Sequence, residues 1–389
     1  MSRPGFTTIL DSASPPMMFN AGDGFHYEKL PSGTRVIYPP GPIEPLADPD
    51  AAIERALLMP LGMEPLRDLL FPGMKLTIVF DDLSLPLPPM RPPDNRQMVI
   101  EKVLEKAAAK GVEDIHLIAA LGLHRRMTEA ELRWMLGKKI MERFYPDRLY
   151  NYDAEDEENH VVIGTTDRGE EVRINRRAAE SDLLVYVNIN LVAMDGGHKS
   201  VHTGISPYSS IRHHHNVHTL EHTRSLMDPP NSAMHGSLGR MGKILDENLK
   251  VFHIETTLNN ATFPPVFDFM AKPEHEWSAL TKANFLANHK VTSVMPRAVS
   301  RRIFQSIVAP HRMTSVQAGA TGPVHAETLK NVYRQQLVPV EGQSDVLILG
   351  VPYLGPYNVN SIMNPILVHC MLLGYFFNLY KGKPLVREG

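Results

Sequence analysis

Two short apolar runs, each leading through a loop into a helix with its own start and stop signals, restrict the fold of this chain more than any other feature. Met74–Phe80 (MKLTIVF) has the length and composition of a buried strand and is bounded by Pro72-Gly73 and Asp81-Asp82. Residues Asn95–Lys110 read as a helix with Met98, Val99, Val103, Leu104 and Ala107 on one side, and Gly111 stands where a helix ends. Asp114–Leu121 (DIHLIAAL) is a second strand, and Thr128 with Glu131 makes a capping box for a helix from Glu129 to Leu136. Ser181–Asn190 (SDLLVYVNIN) is a further central strand. Strand, loop and helix in alternation predict an α/β fold, a parallel sheet with crossover helices.

The rest of the chain is organised around this sheet. Residues 1–60 read as a Pro- and Gly-rich arm with one or two short strands, such as Thr34–Tyr38. Val161–Ile163 and Glu171–Ile174 flank Asp167-Arg168-Gly169 and read as a hairpin. Near the end come a strand-like Asp345–Gly350 (DVLILG), a Pro/Asn/Tyr loop over Val351–Asn364, and an apolar helix over Ile362–Phe377. A chain of 389 residues exceeds the usual size of one core. The expectation is therefore two domains: residues 1–280 as the larger parallel-sheet domain and 281–389 as a smaller α/β domain. Their boundary falls in the charged stretch Lys272–His289, and the functional site lies in the cleft between them.

Composition removes several classes of function. With 40 basic and 43 acidic residues there is no basic excess to suggest nucleic acid, and no basic amphipathic tract suggests a membrane surface. No run of about 18 apolar residues is present, so no membrane span is expected. A single cysteine, Cys370, excludes an intrachain disulfide and a cysteine-rich metal site. With no apolar leader at the start, these features point to a cytoplasmic protein.

The chemistry collects where strands end. In open α/β sheets ligands bind beyond the carboxyl ends of the strands. Asp82 and His124 each stand just past such an end, and Ser181–Asn190 delivers the chain to Asp195–His215 (DGGHKSVHTGISPYSSIRHHH). Eight of the 18 histidines lie between His198 and His235. Gly196-Gly197 lets backbone approach a ligand closely, and Lys199 beside it suits a phosphate contact or an amine nucleophile. His213, His214 and His215 are of the ligand type that zinc and nickel prefer, and His214, His218 and His222 share one face if they lie on a helix. The same residues also have plainer readings: a polar histidine-rich surface, a loop-capping carboxylate at Asp82, and a backbone-bonded imidazole at His124.

Three of these pieces, in this order, resemble the nickel-pincer-nucleotide lactate racemase family. Its D-x-[ST]-R-P, G-x-H-R-x-[MT]-x-x-E and G-G-[RK]-K-[SA] loops resemble Asp82-Leu83-Ser84-Leu85-Pro86, then Leu121-Gly122-Leu123-His124-Arg125-Arg126-Met127-Thr128-Glu129, then Gly196-Gly197-His198-Lys199-Ser200. The family's metal-binding histidine follows the lysine by sixteen positions, which here is His215. The resemblance implies a nicotinic-acid-derived mononucleotide joined covalently to Lys199, whose own sulfurs and carbon bind nickel, with His215 as the remaining ligand. It implies Asp82, Ser84, Gly196, Gly197 and His198 around that cofactor, and His124 as an acid–base residue. The implied reaction takes hydride from the α-carbon of a 2-hydroxy acid and returns it to the other face. Cofactor-maturation enzymes would be required partners.

Two positions depart from the family pattern. Ile189 stands where the family has a second catalytic histidine, ten residues before the lysine, and Leu85 replaces the arginine of the first loop. The expectation is a racemase or epimerase of another, larger 2-hydroxy acid, with His198, His202 or Asp195 as the second base and Arg91 or Arg125 as the missing cation. Two other classes remain: a zinc metallohydrolase built on His213, His215, His218 or His222, and a cofactor-binding relative without turnover.

Overall fold

The computed structural model describes residues 3–83, 89–353, 361–362 and 366–388. Ser84, expected near the cofactor, lies outside the described residues, as does most of the loop expected over Val351–Asn364.

A six-stranded sheet forms the centre. In chain order its strands are β1 (Lys75–Asp81), β2 (Asp114–Ala120), β3 (Leu149–Asn151), β4 (Leu183–Ile189), β5 (Val251–Leu258) and β6 (Met313–Gly319). They lie in the spatial order β6-β5-β4-β1-β2-β3. Every pairing from β5 to β3 is parallel, and β6 alone runs antiparallel, against β5. The order reverses between β1 and β4, so the switch-point crevice opens beyond their carboxyl ends.

The covering helices follow the sequence signals. Helix α1 (Asn95–Ala109) starts on an Asp94 cap, buries Val99, Ile100, Val103, Leu104 and Ala107, and is followed by Gly111 at φ 68°. Helix α2 (Glu129–Phe144) carries the Thr128/Glu131 capping box. It turns at Gly137 (φ 76°), one residue past the expected end, and then resumes. Three more helices matter to the site: α3 (Gly197–Gly204), α4 (Ala233–Asn248) and α5 (Thr321–Gln336). The strands β1, β2 and β4 are buried over nearly their whole length, which explains why they read as mostly apolar runs, and β5, equally buried, carries the polar His253, Glu255, Thr256 and Thr257 inside.

The chain beyond residue 280 does not build the expected separate α/β unit. After two helices, Ala279–Val294 and Arg297–Gln305, it returns as β6 to the edge of the same sheet, and α5 packs back over β5 and β6. The sheet therefore runs across the expected boundary, and the site stands beyond the carboxyl ends of its central strands. Asp345–Gly350 forms no strand; only Val351–Pro352 pairs, in parallel, with Ala21-Gly22 of the N-terminal arm. Of the helix expected over Ile362–Phe377, the described residues hold a continuous helical stretch from Ile366 to Asn378, α-helical over Ile366–His369, wider and π-type over Cys370–Tyr375, and a 3-10 turn over Phe376–Asn378. The arm's strand Arg35–Tyr38 pairs with Phe6–Ile9, and His160–Thr165 with Glu171–Asn175 makes the expected hairpin. Among the described residues no helix is long and apolar enough to cross a membrane.

Candidate active site

Three loops meet beyond the carboxyl ends of β1, β2 and β4. The first begins at Asp82, 3% exposed, whose Oδ2 lies 2.9 Å from His124 Nδ1 on the loop after β2. A carboxylate only accepts, so Nδ1 carries the proton and proton exchange with a substrate falls to Nε2. Arg96 pins the Asp82 loop from behind. Its guanidinium donates to the Asp82 carbonyl at 2.7 Å, to Asp81 Oδ1 at 3.3 Å and to both carboxylate oxygens of Asp94. Burial pushes Asp81 up to about 7 despite Arg96, and Asp81 Oδ2 accepts the Ile189 N–H at 2.9 Å. That bond ties the ends of β1 and β4 together at the switch point.

The loop after β4 holds the second group. Lys199 Nζ donates to Asp195 Oδ1 at 2.7 Å, one helical turn back. Gly196 (φ 87°) and Gly197 (φ 57°) make the turn into α3. A Cβ on Gly196 would fall 2.4 Å from Asn190 Nδ2, 2.5 Å from Glu255 Oε1 and 2.7 Å from His325 Nδ1, so both backbone angle and space demand glycine. The Gly197 N–H donates to Glu255 Oε1 at 2.6 Å.

Glu255 is fully buried in β5 and lies beside His325 of α5, with Nδ1 at 3.2 and 3.3 Å from its two oxygens, and beside His253 at 3.5 Å. Burial opposes its ionisation, but the His325 hydrogen bond, the His253 and His325 rings and the Gly197 N–H outweigh burial and hold it at about 2. The sequence reading missed this pair. A glutamate inside VFHIETTLN was a visible signal; nothing in the sequence placed His325, 70 positions on, beside it.

The histidine run separates into different environments. His202 is enclosed between Ser210 (3.0 Å) and His214 (3.2 Å), His214 meets His215 at 2.5 Å, and His215 Nε2 meets the Tyr375 hydroxyl at 2.9 Å. Burial, helped by the Lys199 and His235 charges, pushes His215 down to about 3, so it stays a neutral imidazole as a metal ligand must. His218 and His222 lie against each other in the open, on and just past a short helix of their own (Val217–Glu221), and do not share a face with the buried His214. His198 points away from Lys199 and pairs with Asp246 of α4 at 2.8 Å. Arg125 forks onto Glu131 at 2.9 and 2.6 Å, and the Arg91 side chain is exposed. Among the described residues no group of three or more His, Cys, Asp or Glu side chains is arranged to hold a metal ion, so the ligand set that the zinc reading needs is not assembled there.

Residues 24–228 match the lactate racemase N-terminal domain family. The chain belongs to this family. The lactate racemase of Thermoanaerobacterium thermosaccharolyticum is 28% identical over 168 residues, and that of Lactiplantibacillus plantarum is 28% identical over 169. Each match takes in 42% of this chain and 37% of the relative, so the matched stretch spans little more than a third of the curated relatives' length. The solved lactate racemase apoprotein from T. thermosaccharolyticum has the same fold, with a TM-score of 0.54 at 18% identity, over 82% of this chain and 62% of that one. The family's domain thus contributes Asp82, His124, Lys199 and His215, whereas Glu255 and His325 lie beyond residue 228.

Proposed function

We propose that this protein interconverts the configurations of a 2-hydroxy acid at its α-carbon, using a nickel-pincer nucleotide joined to Lys199. The observation that carries this reading is the convergence of the Asp82–His124 pair and the Gly196-Gly197-Lys199 turn on the switch point of a lactate-racemase-type sheet. The residues fit such a cofactor. Lys199 offers an amine on the glycine turn, and His235 Nε2 and Asn190 Oδ1 are buried polar atoms without partners among the described residues. His215 would bind the metal through Nε2 in place of the Tyr375 hydroxyl it now meets at 2.9 Å, because Nδ1 is closed in against the buried His214. A pincer that supplies its own sulfur also suits a chain with one cysteine.

When bound, the cofactor supplies hydride acceptance from the α-carbon and hydride return to it. The protein's part is the proton. His124, oriented by Asp82, takes the hydroxyl proton as the carbonyl forms and gives it back as the hydroxyl re-forms. Asp82→Asn keeps the shape but removes the acceptor that fixes the tautomer, and is expected to slow turnover about 10²–10³-fold with little change in KM. Unchanged kcat in that variant would remove His124 from the mechanism.

The deciding experiment expresses the protein with the cofactor-making enzymes and measures intact mass, nickel and turnover of a panel of chiral 2-hydroxy acids. A mass increase on the Lys199 peptide, about one nickel per chain and racemisation of one acid are expected. An adduct without turnover leaves a cofactor-binding protein, and stoichiometric zinc without adduct returns the hydrolase.

A further inference from the structure

Racemisation needs a proton-transfer group on each face of the α-carbon, and Ile189 has removed one of the two histidines that the family uses. The three residues expected to replace it are otherwise engaged. His198 is turned onto Asp246, His202 is sealed between Ser210 and His214, and Asp195 holds Lys199. His235 has its Nδ1 on Ser232 Oγ at 2.9 Å, and burial, with the Lys199 and His325 charges, pushes it down to about 4, too low to take a proton readily near neutral pH.

We propose that His325, oriented by Glu255, is the second proton-transfer residue, acting on the face of the substrate opposite His124. This rests on the racemase reading. The two pairs are built alike. Asp82 is 3% exposed and holds Nδ1 of a histidine that is 21% exposed; Glu255 is fully buried and holds Nδ1 of another that is 21% exposed. They flank the lysine turn. In the sheet, β4 lies between β1, which ends at Asp82, and β5, which carries Glu255, and the Lys199 loop leaves from β4. The His325 ring lies directly over Gly196 and Gly197, where a Cβ would come within 2.7–2.9 Å of it. Because Glu255 is ionised it can only accept, so Nδ1 of His325 donates and Nε2 is left to receive a proton; the carboxylate then stabilises the imidazolium. Nε2 of His325 has no hydrogen-bond partner among the described residues.

The step balances. As the α-carbon–hydrogen bond breaks with its electron pair passing as hydride to the nicotinic-acid-derived cofactor, the hydroxyl proton moves to Nε2 of one histidine and the carbonyl forms. Hydride then returns to the opposite face of the same carbon, and the other histidine supplies the proton to the oxygen.

The test compares wild type, His325→Gln and His124→Ala, all loaded with cofactor, in a single turnover from each enantiomer of the acid that the wild type racemises. His325→Gln is expected to slow keto acid formation from one enantiomer about 10²–10³-fold and to leave the other within about threefold, with His124→Ala showing the reverse preference. The mass of the Lys199 adduct and the melting temperature should not move, because glutamine retains an N–H for Glu255. A structural His325 predicts near-wild-type rates from both enantiomers, and that result would overturn the proposal. A second readout uses the apoprotein: diethyl pyrocarbonate should modify His325, read by peptide mass, and millimolar pyruvate should protect it. If the wild type turns over no 2-hydroxy acid, the racemase reading itself fails; protection then still supports an acid-binding role for His325, and its absence removes that role too.

Discussion

Lys199→Arg is expected to lose the covalent adduct, the nickel and the turnover together, a fall of at least about 10⁶-fold in rate, while the fold stays intact. Arginine preserves the positive charge that Asp195 Oδ1 now binds at 2.7 Å across one turn of α3, so the local ion pair and the helix start survive. What it lacks is a nucleophilic amine, since a guanidinium does not lose its proton in a protein. The neighbouring glycines make the loss specific. The turn that presents Lys199 is held by the Gly197 N–H on Glu255 and by the Gly196 N–H on Ser200 Oγ at 2.9 Å, contacts of backbone that the substitution does not touch. Intact mass, nickel content and turnover on one preparation, with a melting curve as control, decide the matter. A Lys199→Arg protein that still racemises would mean that the cofactor is not joined here, and would remove the basis of the proposed reaction.

What the sequence disclosed was local, and what it hid was long-range. Strands β1, β2 and β4 were legible because each is buried on both faces and bounded by punctuation such as Pro72-Gly73 or Asp81-Asp82. The capping box at Thr128 and Glu131 was legible because it is a contact between residues three apart. Strand β6 (MTSVQAG) gave no such signal: it is a mixed polar edge strand, and its pairing with β5 depends on a return after two intervening helices. Without it, chain length and the charged stretch Lys272–His289 alone placed the expected boundary near residue 280. In the site, Asp82, His124 and Lys199 stood out because strand ends are where such sheets place chemistry. His198 was expected with them because it adjoins Lys199, but neighbours on a helix point about 100° apart, and α3 turns His198 toward Asp246 of α4. The Glu255–His325 pair could not be read at all, since it exists only because α5 folds back over β5.

The apoprotein is expected to lose most of its stability between pH 7 and pH 5, because it buries so many neutral imidazoles. Burial, as the main cause in every case, pushes His202 and His215 down to about 3 and His235, His253 and His311 down to about 4. Each would be protonated at pH 5 in the unfolded chain and is neutral in the fold. Stability from such a group is fully present above the ordinary histidine pKa and falls away as pH drops below it. At pH 5 the loss is about 2 kcal/mol for each, or about 10 kcal/mol for the five. His214, pushed well below the usual histidine range by burial and its histidine neighbours, adds to it. Asp81 works the other way. Raised to about 7 by burial, it binds a proton in the fold before the unfolded chain does, and returns about 3 kcal/mol over the same interval. Glu255, held at about 2, stays ionised in the fold and contributes nothing until the pH falls further. The net loss of about 7 kcal/mol is comparable to the whole stability of a typical domain. For a chain of 389 residues, whose unfolding entropy is about 0.8 kcal/mol/K, it corresponds to a melting temperature lower by roughly 8–10 °C at pH 5 than at pH 7. Calorimetry of the apoprotein across this range should show that fall, with about four protons taken up on unfolding near pH 5.5. A melting temperature that stays level from pH 7 to pH 5 would mean that these histidines are already charged in the fold. Their chain from His202 through His214 to His215 would then not be the neutral, closed network that leaves His215 ready to bind a metal.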